Sequence, residues 1–216
     1  MKKIVMSFFT VALLVACGEQ KQAPKAIVSE TESLQSQEIN SSLSQTDGIT
    51  ELKVVSNSQN TLKWTGSAIG KSHYGTVDYT GVINLSNNQL IGGELIMDMN
   101  TINSEDLEGE WKQKLNNHLK NSDFFNVDSF PTAKLVIKGY DGKNVQGSLS
   151  IKDITKSISF PATINISENT FEGSADFTIN RTDYGIVYGS GSFYDLAQDK
   201  IISDDIAFSV SLKASK

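Results

Sequence analysis

From about residue 51 onward, apolar and polar side chains alternate one for one along most of the chain. Leu62, Trp64, Gly66 and Ala68 alternate with Lys63, Thr65 and Ser67. Gly75, Val77, Tyr79, Gly81, Ile83 and Leu85 alternate with Thr76, Asp78, Thr80 and Asn84, and Leu95, Met97 and Met99 keep the phase around Asp98. It returns in Val145-Gly147-Leu149-Ile151, Ile158-Phe160-Ala162-Ile164-Ile166, Phe171-Gly173-Ala175-Phe177-Ile179 and Ile206-Phe208-Val210-Leu212. A period of two sends successive side chains to opposite faces, so each run predicts a strand with one buried face. Ser86-Asn87-Asn88, Asp141-Gly142 and Glu168-Asn169 supply turn chemistry between runs. The series predicts an all-β fold, an antiparallel meander of about eight strands.

One stretch changes period. Leu107, Trp111, Leu115 and His118-Leu119 recur at helical spacing and predict a single amphipathic helix over about 104–119. Asn103 or Ser104 can cap its start, Glu105, Asp106 and Glu108 suit its positive end, and Lys112, Lys114 and Lys120 fall late. Asp123-Phe124-Phe125 then carries two aromatics into the next loop. Such a helix must rest its apolar face on the open end or the wall of a barrel.

Upstream the pattern is neither. Met1-Lys2-Lys3 is followed by Ile4 to Ala16, apolar except for Ser7 and Thr10. That run is shorter than the roughly 20 residues a bilayer span needs and has the layout of a secretion signal. It ends in Leu14-Val15-Ala16-Cys17-Gly18, which resembles the lipobox of bacterial lipoproteins, and Cys17 is the chain's one cysteine. Residues 1–16 are therefore expected to be a lipoprotein signal peptide and Cys17 the lipidated residue, with no disulfide framework. Gly18, rather than an Asp, favours an outer-membrane lipoprotein of the cell envelope, held to the membrane by its N-terminal acyl chains. Gln, Ser, Glu, Lys and Thr dominate up to about residue 48 and bury too little to offset chain entropy. The expected domains are a signal at 1–16, acylated Cys17 with a flexible tether at 17–50 reaching roughly 30 Å, and a folded domain at 51–216.

Small residues recur on the inward phase: Gly66, Ala68, Gly75, Gly81, Gly147, Ala162, Gly173 and Ala175. Glycine weakens a strand, so its repeated use points either to bending at barrel corners or to room for a ligand. A barrel of about eight strands can be filled by its side chains or can hold one small ligand. Periodicity leaves both open: a hollow carrier, or a packed surface-interaction module.

Five elements resemble the YceI family of bacterial periplasmic and lipoprotein domains. They are His73-x-Gly75-x-Val77 with Gly81; Met97-Asp98-Met99 with Thr101-Ile102 and Asp106-Leu107; His118-Leu119-Lys120 with Asp123-Phe124-Phe125 and Phe130-Pro131; Val145-x-Gly147-x-Leu149 with Thr155 and Phe160-Pro161; and Asn180-Arg181-Thr182-Asp183-Tyr184-Gly185-Ile186 with Tyr188-Gly189. Asp153, where a glycine is usual, and the polar tether depart from the pattern. The resemblance implies a lipocalin-like, eight-stranded antiparallel β-barrel with an apolar tunnel that binds an amphiphilic isoprenoid, such as a polyprenyl phosphate or a quinone. Trp64, Val77, Tyr79, Leu95, Met97, Leu149, Phe160, Phe177 and Phe208 are then the expected tunnel lining.

Charge and chemistry narrow the remainder. Arg181 is the only arginine; it reads as a head-group contact or as a structural ion pair with Asp183 or another loop carboxylate. His73 reads as a head-group hydrogen bonder or a satisfied structural histidine, and His118 as structural at the helix end. The two histidines and one cysteine form no zinc-like spacing, and no Gly-x-Ser-x-Gly elbow occurs, so neither a metal, a covalent cofactor nor catalysis is expected. A formal charge of −6 without a basic cluster argues against nucleic acid as a partner. The expected partners are an amphiphilic lipid and the membrane; a homodimer stays open.

Overall fold

The computed structural model describes residues 22–30, 48–167 and 170–215. Cys17, the signal segment and the stretch 31–47 of the expected tether lie outside them. Eight long strands build a single curled antiparallel sheet: β3 (Thr61–Ala68), β4 (Lys71–Ser86), β5 (Gln89–Ser104), β6 (Thr132–Tyr140), β7 (Asn144–Ile151), β8 (Ile154–Pro161), β10 (Thr170–Asn180) and β11 (Ile202–Ser215). Three short strands join them: β1 (Ile27–Glu30), β2 (Ile49–Val55) and β9 (Thr163–Ile166). The sheet order is β1-β8-β7-β6-β5-β4-β3-β11-β10-β9, with β2 on the second half of β4. This is the expected barrel architecture, a half-barrel closed by short strands, with three strands beyond the expected eight.

Tight turns follow from local chemistry. Asn87 and Asn88 join β4 to β5 with φ of 49° and 57°, the two left-handed positions of a two-residue hairpin that Asn tolerates. Asp153 sits in the β7–β8 turn, where its neighbour Lys152 takes the left-handed φ of 56°. The β4–β5 and β6–β7 hairpins lie at one end of the barrel. The other carries the β3–β4 and β7–β8 turns, the helical excursion between β5 and β6, and the long connection from β10 to β11.

The helix α1 spans Gly109–Lys120 and begins five residues later than expected. Asn103 and Ser104 do not cap it; they remain in the β5 ladder, opposite Thr76 and Gly75. Ser104 N–H donates to the Asn116 side chain at 2.8 Å, tying the helix back to that strand. Leu119 is the buried contact of α1, whereas Trp111, expected on its apolar face, is 70% exposed. No helix among the described residues is long and apolar enough to cross a membrane.

The reading of 17–50 as uninterrupted tether needs correction. Ile27–Glu30 pair antiparallel with Ser159–Lys156 of β8, and Ala26 is buried in the core. Unsatisfied strand edges are templates for pairing, and the edge of β8 supplies the partner that the short sequence Ala26-Ile27-Val28 lacks on its own.

Candidate functional site

The inward side chains of the long strands surround a chamber rather than a solid core. The centre of a water molecule can move through about 190 Å³ of it, and on that measure one water needs only about 10–15 Å³. It extends from Ile164, Phe171 and Leu212 at the hairpin end to Ile102, Leu119, Phe124 and Phe125 at the helix end. Its walls are hydrocarbon apart from Ser174, Ser203 and Arg181. A lining with so few polar groups gives no hydrogen-bond partners to ordered water and favours an apolar occupant.

Of the nine expected lining residues, Trp64, Val77, Leu95, Met97, Leu149, Phe160, Phe177 and Phe208 border the chamber. Phe160 and Phe177 stack with centroids 4.2 Å apart, and Phe208 continues the row at 5.6 Å from Phe177. The Trp64 indole N–H donates to the Thr76 carbonyl at 3.2 Å, so its polar atom is satisfied in the wall. Tyr79 is the exception. Its hydroxyl donates to the Ser211 carbonyl at 3.2 Å, its own carbonyl accepts from Ser56 N–H beside β2, and it is absent from the lining. Burial pushes its phenol up to about 12.

The small inward residues divide into two groups. Gly66, Ala162, Gly173 and Ala175 border the chamber, and a Cβ on Gly66 would meet nothing within 4 Å. Gly75, Gly81, Gly147 and Ala68 do not border it. A Cβ at Gly75, Gly81 or Gly147 would lie under 3.0 Å from the carbonyl oxygen of Asn103, Glu94 or Val136 respectively. These three glycines let neighbouring backbones close in where the sheet coils; they do not hold the bore open.

Arg181 is only 1% exposed and touches the chamber at its helix end. Its Nε donates to the Ser203 carbonyl at 2.9 Å, Nη1 to the Ile186 carbonyl at 2.7 Å, and Nη2 to the Ile202 carbonyl at 3.1 Å. The carboxylate it pairs with is Asp204 at 3.3 Å, not Asp183. Burial pulls the guanidinium pKa down and the Asp204 charge pulls it back up. The side chain thus clamps the turn 181–186 onto the start of β11, with every nitrogen engaged. His73 does not border the chamber: its Nδ1 lies 2.7 Å from Asp106 Oδ2, and Tyr74 N–H donates to the other Asp106 oxygen at 3.0 Å. Burial works to raise the Asp106 carboxyl, but the His73 and Tyr74 hydrogen bonds outweigh it and hold it below its ordinary value. His118 lies 3.3 Å from Asp123 and meets Phe124 and Tyr188 edge-on, with centroids 4.9 and 4.7 Å away.

Several lining residues escaped the sequence reading. Leu135 and Ile137 alternate legibly in β6, whereas Leu119, Phe124 and Phe125 reach the chamber only through the path of α1 and the loop after it. Among the described residues no group of three His, Cys, Asp or Glu side chains is placed to hold a metal ion.

The family model of the YceI-like domain matches residues 53–214. The chain belongs to the YceI-like family. This YceI-like chain is 40% identical over 77 residues to UPF0312 proteins of Staphylococcus aureus strains MSSA476 and MW2, a match covering 32% of the chain and 45% of each relative. It thus spans under half the length of those curated relatives. Its fold is shared with Burkholderia cenocepacia BcnA at TM-score 0.60 and 16% identity, covering 74% of this chain and 99% of that one. It is also shared with a polyisoprenoid-binding domain from Saccharophagus degradans implicated in plant cell wall breakdown, at TM-score 0.57 and 13% identity, over 76% and 97% of the two chains. A YceI protein of Campylobacter jejuni aligns at TM-score 0.51 and 21% identity, over 64% and 81%. Strand β1 and most of β2 precede the matched YceI-like segment.

Proposed function

We propose that this protein is a lipid-anchored envelope protein that holds an amphiphilic isoprenoid, a polyprenyl phosphate or quinone-like lipid, for transport, storage or sensing. The observation that carries the reading is a chamber with hydrocarbon walls running the length of the barrel. Each five-carbon isoprene unit drawn into it contributes about 4 kcal/mol, at about 0.8 kcal/mol per buried carbon. Several units are needed to offset an association cost of about 4–15 kcal/mol. Because Arg181 and His73 are committed to protein partners, the polar head stays at a mouth of the chamber and the chain alone enters. The polyisoprenoid-binding neighbour supports the ligand class, and the signal-and-Cys17 pattern supports anchoring at the outer membrane. The chamber also favours a carrier over a filled interaction module, and the role is binding rather than catalysis.

The test is direct. The Cys17→Ser protein is purified from a quinone-containing host, extracted with organic solvent, and the extract analysed by mass spectrometry. A near-stoichiometric isoprenoid is the expected result; an extract without one refutes the carrier.

A further inference from the structure

We propose that Pro24–Glu30 is a displaceable closing strand, and that the isoprenoid passes in and out of the chamber through the seam this segment covers. Between β8 and the second half of β10 the sheet lacks a direct ladder. β9, which continues from β8, pairs with Phe171–Ser174 and joins the hairpin end, but β8 itself does not pair with β10, although Phe160 of one stacks on Phe177 of the other. Into this gap the N-terminal segment is laid, bonded to both edges. On one side Ile27, Val28, Ser29 and Glu30 pair with Ser159, Ile158, Ser157 and Lys156. On the other, Thr178 N–H donates to the Pro24 carbonyl at 2.9 Å and Ala26 N–H to the Thr178 carbonyl at 2.8 Å, the parallel bridge of Lys25 with Thr178.

The residues beneath the seam face the chamber. Phe160 and Ala162 border it from the β8 side, Ala175 and Phe177 from the β10 side. One layer of side chains therefore separates the segment from the occupant. The grip of the segment is slight: its ladder is four residues long, only Ala26 is fully buried, and Ile27 is 73% exposed. Its two ion pairs, Lys25–Asp205 at 2.9 Å and Glu30–Lys156, each have an exposed member on the segment, Lys25 at 58% and Glu30 at 85%, whose charge solvent screens. By contrast β4 and β5 are 16 residues each and pair along their length. Short ladders with little buried surface open locally, well before the global fold. The segment also precedes the matched domain; within that domain β9 joins the hairpin end of the wall, and the segment covers the part beside Lys156–Ser159 and Thr178. At the helix end, by comparison, the chamber is bordered by Leu119, Phe124, Phe125 and the hydrogen-bonded Arg181.

The passage half of this proposal rests on the carrier reading; the displaceable strand does not, and the experiment separates them. The full chain with Cys17→Ser carries Ile27→Cys and Ser159→Cys, which are direct cross-strand partners. The pair is closed by oxidation, or by a short bis-maleimide, and closure is confirmed by loss of free thiol. Amide exchange is followed first, without ligand. The Ala26 and Thr178 amides should exchange at least 100-fold faster than those in the middle of the β4–β5 ladder, and slow on closure. Equal protection of the two sets overturns the displaceable strand. Loading with all-trans-retinol, a fluorescent isoprenoid, is then timed. Closure should slow uptake at least tenfold, reversibly with reductant for the disulfide, while the final amount bound stays the same. Uptake equally fast in the closed form overturns the seam route and assigns passage to an end of the barrel. Retinol bound by neither form removes the passage half with the carrier reading, and the exchange result still decides the strand.

Discussion

Two glycines on the same inward phase should respond oppositely to a side chain. Gly66 borders the chamber, and a Cβ there has nothing within 4 Å. A leucine at that position projects four carbons into the space the ligand needs. Displacing about four ligand carbons forfeits about 3 kcal/mol at about 0.8 kcal/mol each, which is about 200-fold in affinity. Stability should hold or rise, because a glycine inside a strand costs roughly 0.5–1 kcal/mol relative to alanine. Gly147→Ala inverts the pattern. Its single methyl meets the Val136 carbonyl at under 3.0 Å, and the strands must part to accept it. Overpacking of that kind costs about 1–3 kcal/mol, or about 2–12 °C in Tm for a domain of this size. Thermal melts followed by circular dichroism give the stability, and retinol fluorescence titration gives the affinity. The reasoning is refuted if Gly66→Leu binds as tightly as the parent, or if Gly147→Ala melts at the parent temperature.

Removing the buried Arg181 side chain strips donors from three carbonyls and leaves the half-buried Asp204 carboxylate with the Ser192 hydroxyl. Arg181→Ala should therefore destabilise by about 3–5 kcal/mol; an unchanged denaturant midpoint with weaker ligand binding would instead make it a head-group contact. The Asp106 carboxyl titrates below its ordinary 3.8 in the fold, so its stabilisation is complete above that value and disappears as pH falls through the lower folded one. The stability gap between the parent and Asp106→Asn, read as urea midpoints, should accordingly be constant at neutral pH and shrink below about pH 4; a pH-independent gap contradicts the His73–Asp106 account. Cys17→Ser should move the protein from the membrane to the soluble fraction and abolish labelling by palmitate in cells. Retention in the membrane fraction would refute lipid anchoring.

The long strands were legible because one face is buried and the other wet, which writes a period of two into residues such as Val77-Asp78-Tyr79 and Met97-Asp98-Met99. Eight of the nine residues that the family resemblance implied as lining, all on that inward phase, border the chamber. Tyr79 keeps that inward phase yet faces packed structure, because β2 lies against the second half of β4 and its hydroxyl finds the Ser211 carbonyl. Phase says which side of a sheet a residue takes, not whether the space there is occupied. The start of α1 was misplaced because Asn103 and Ser104 satisfy their backbone in a ladder with Thr76 and Gly75, partners nearly thirty residues away. Arg181 was rightly suspected of an ion pair, but its carboxylate arrives from β11. Nor could composition separate Gly66 from Gly147, since one glycine leaves room for a ligand and the other for a neighbouring carbonyl.

The two tryptophans occupy opposite optical environments. Trp64 sits in the chamber wall at 7% exposure, while Trp111 stands on the helix at 70%. Their emission should differ in colour, with Trp111 red-shifted by water and Trp64 blue. A quinone-type occupant would quench the blue component and leave the red one almost untouched, so Trp111→Phe converts the protein into its own single-emitter gauge of occupancy, with no attached dye.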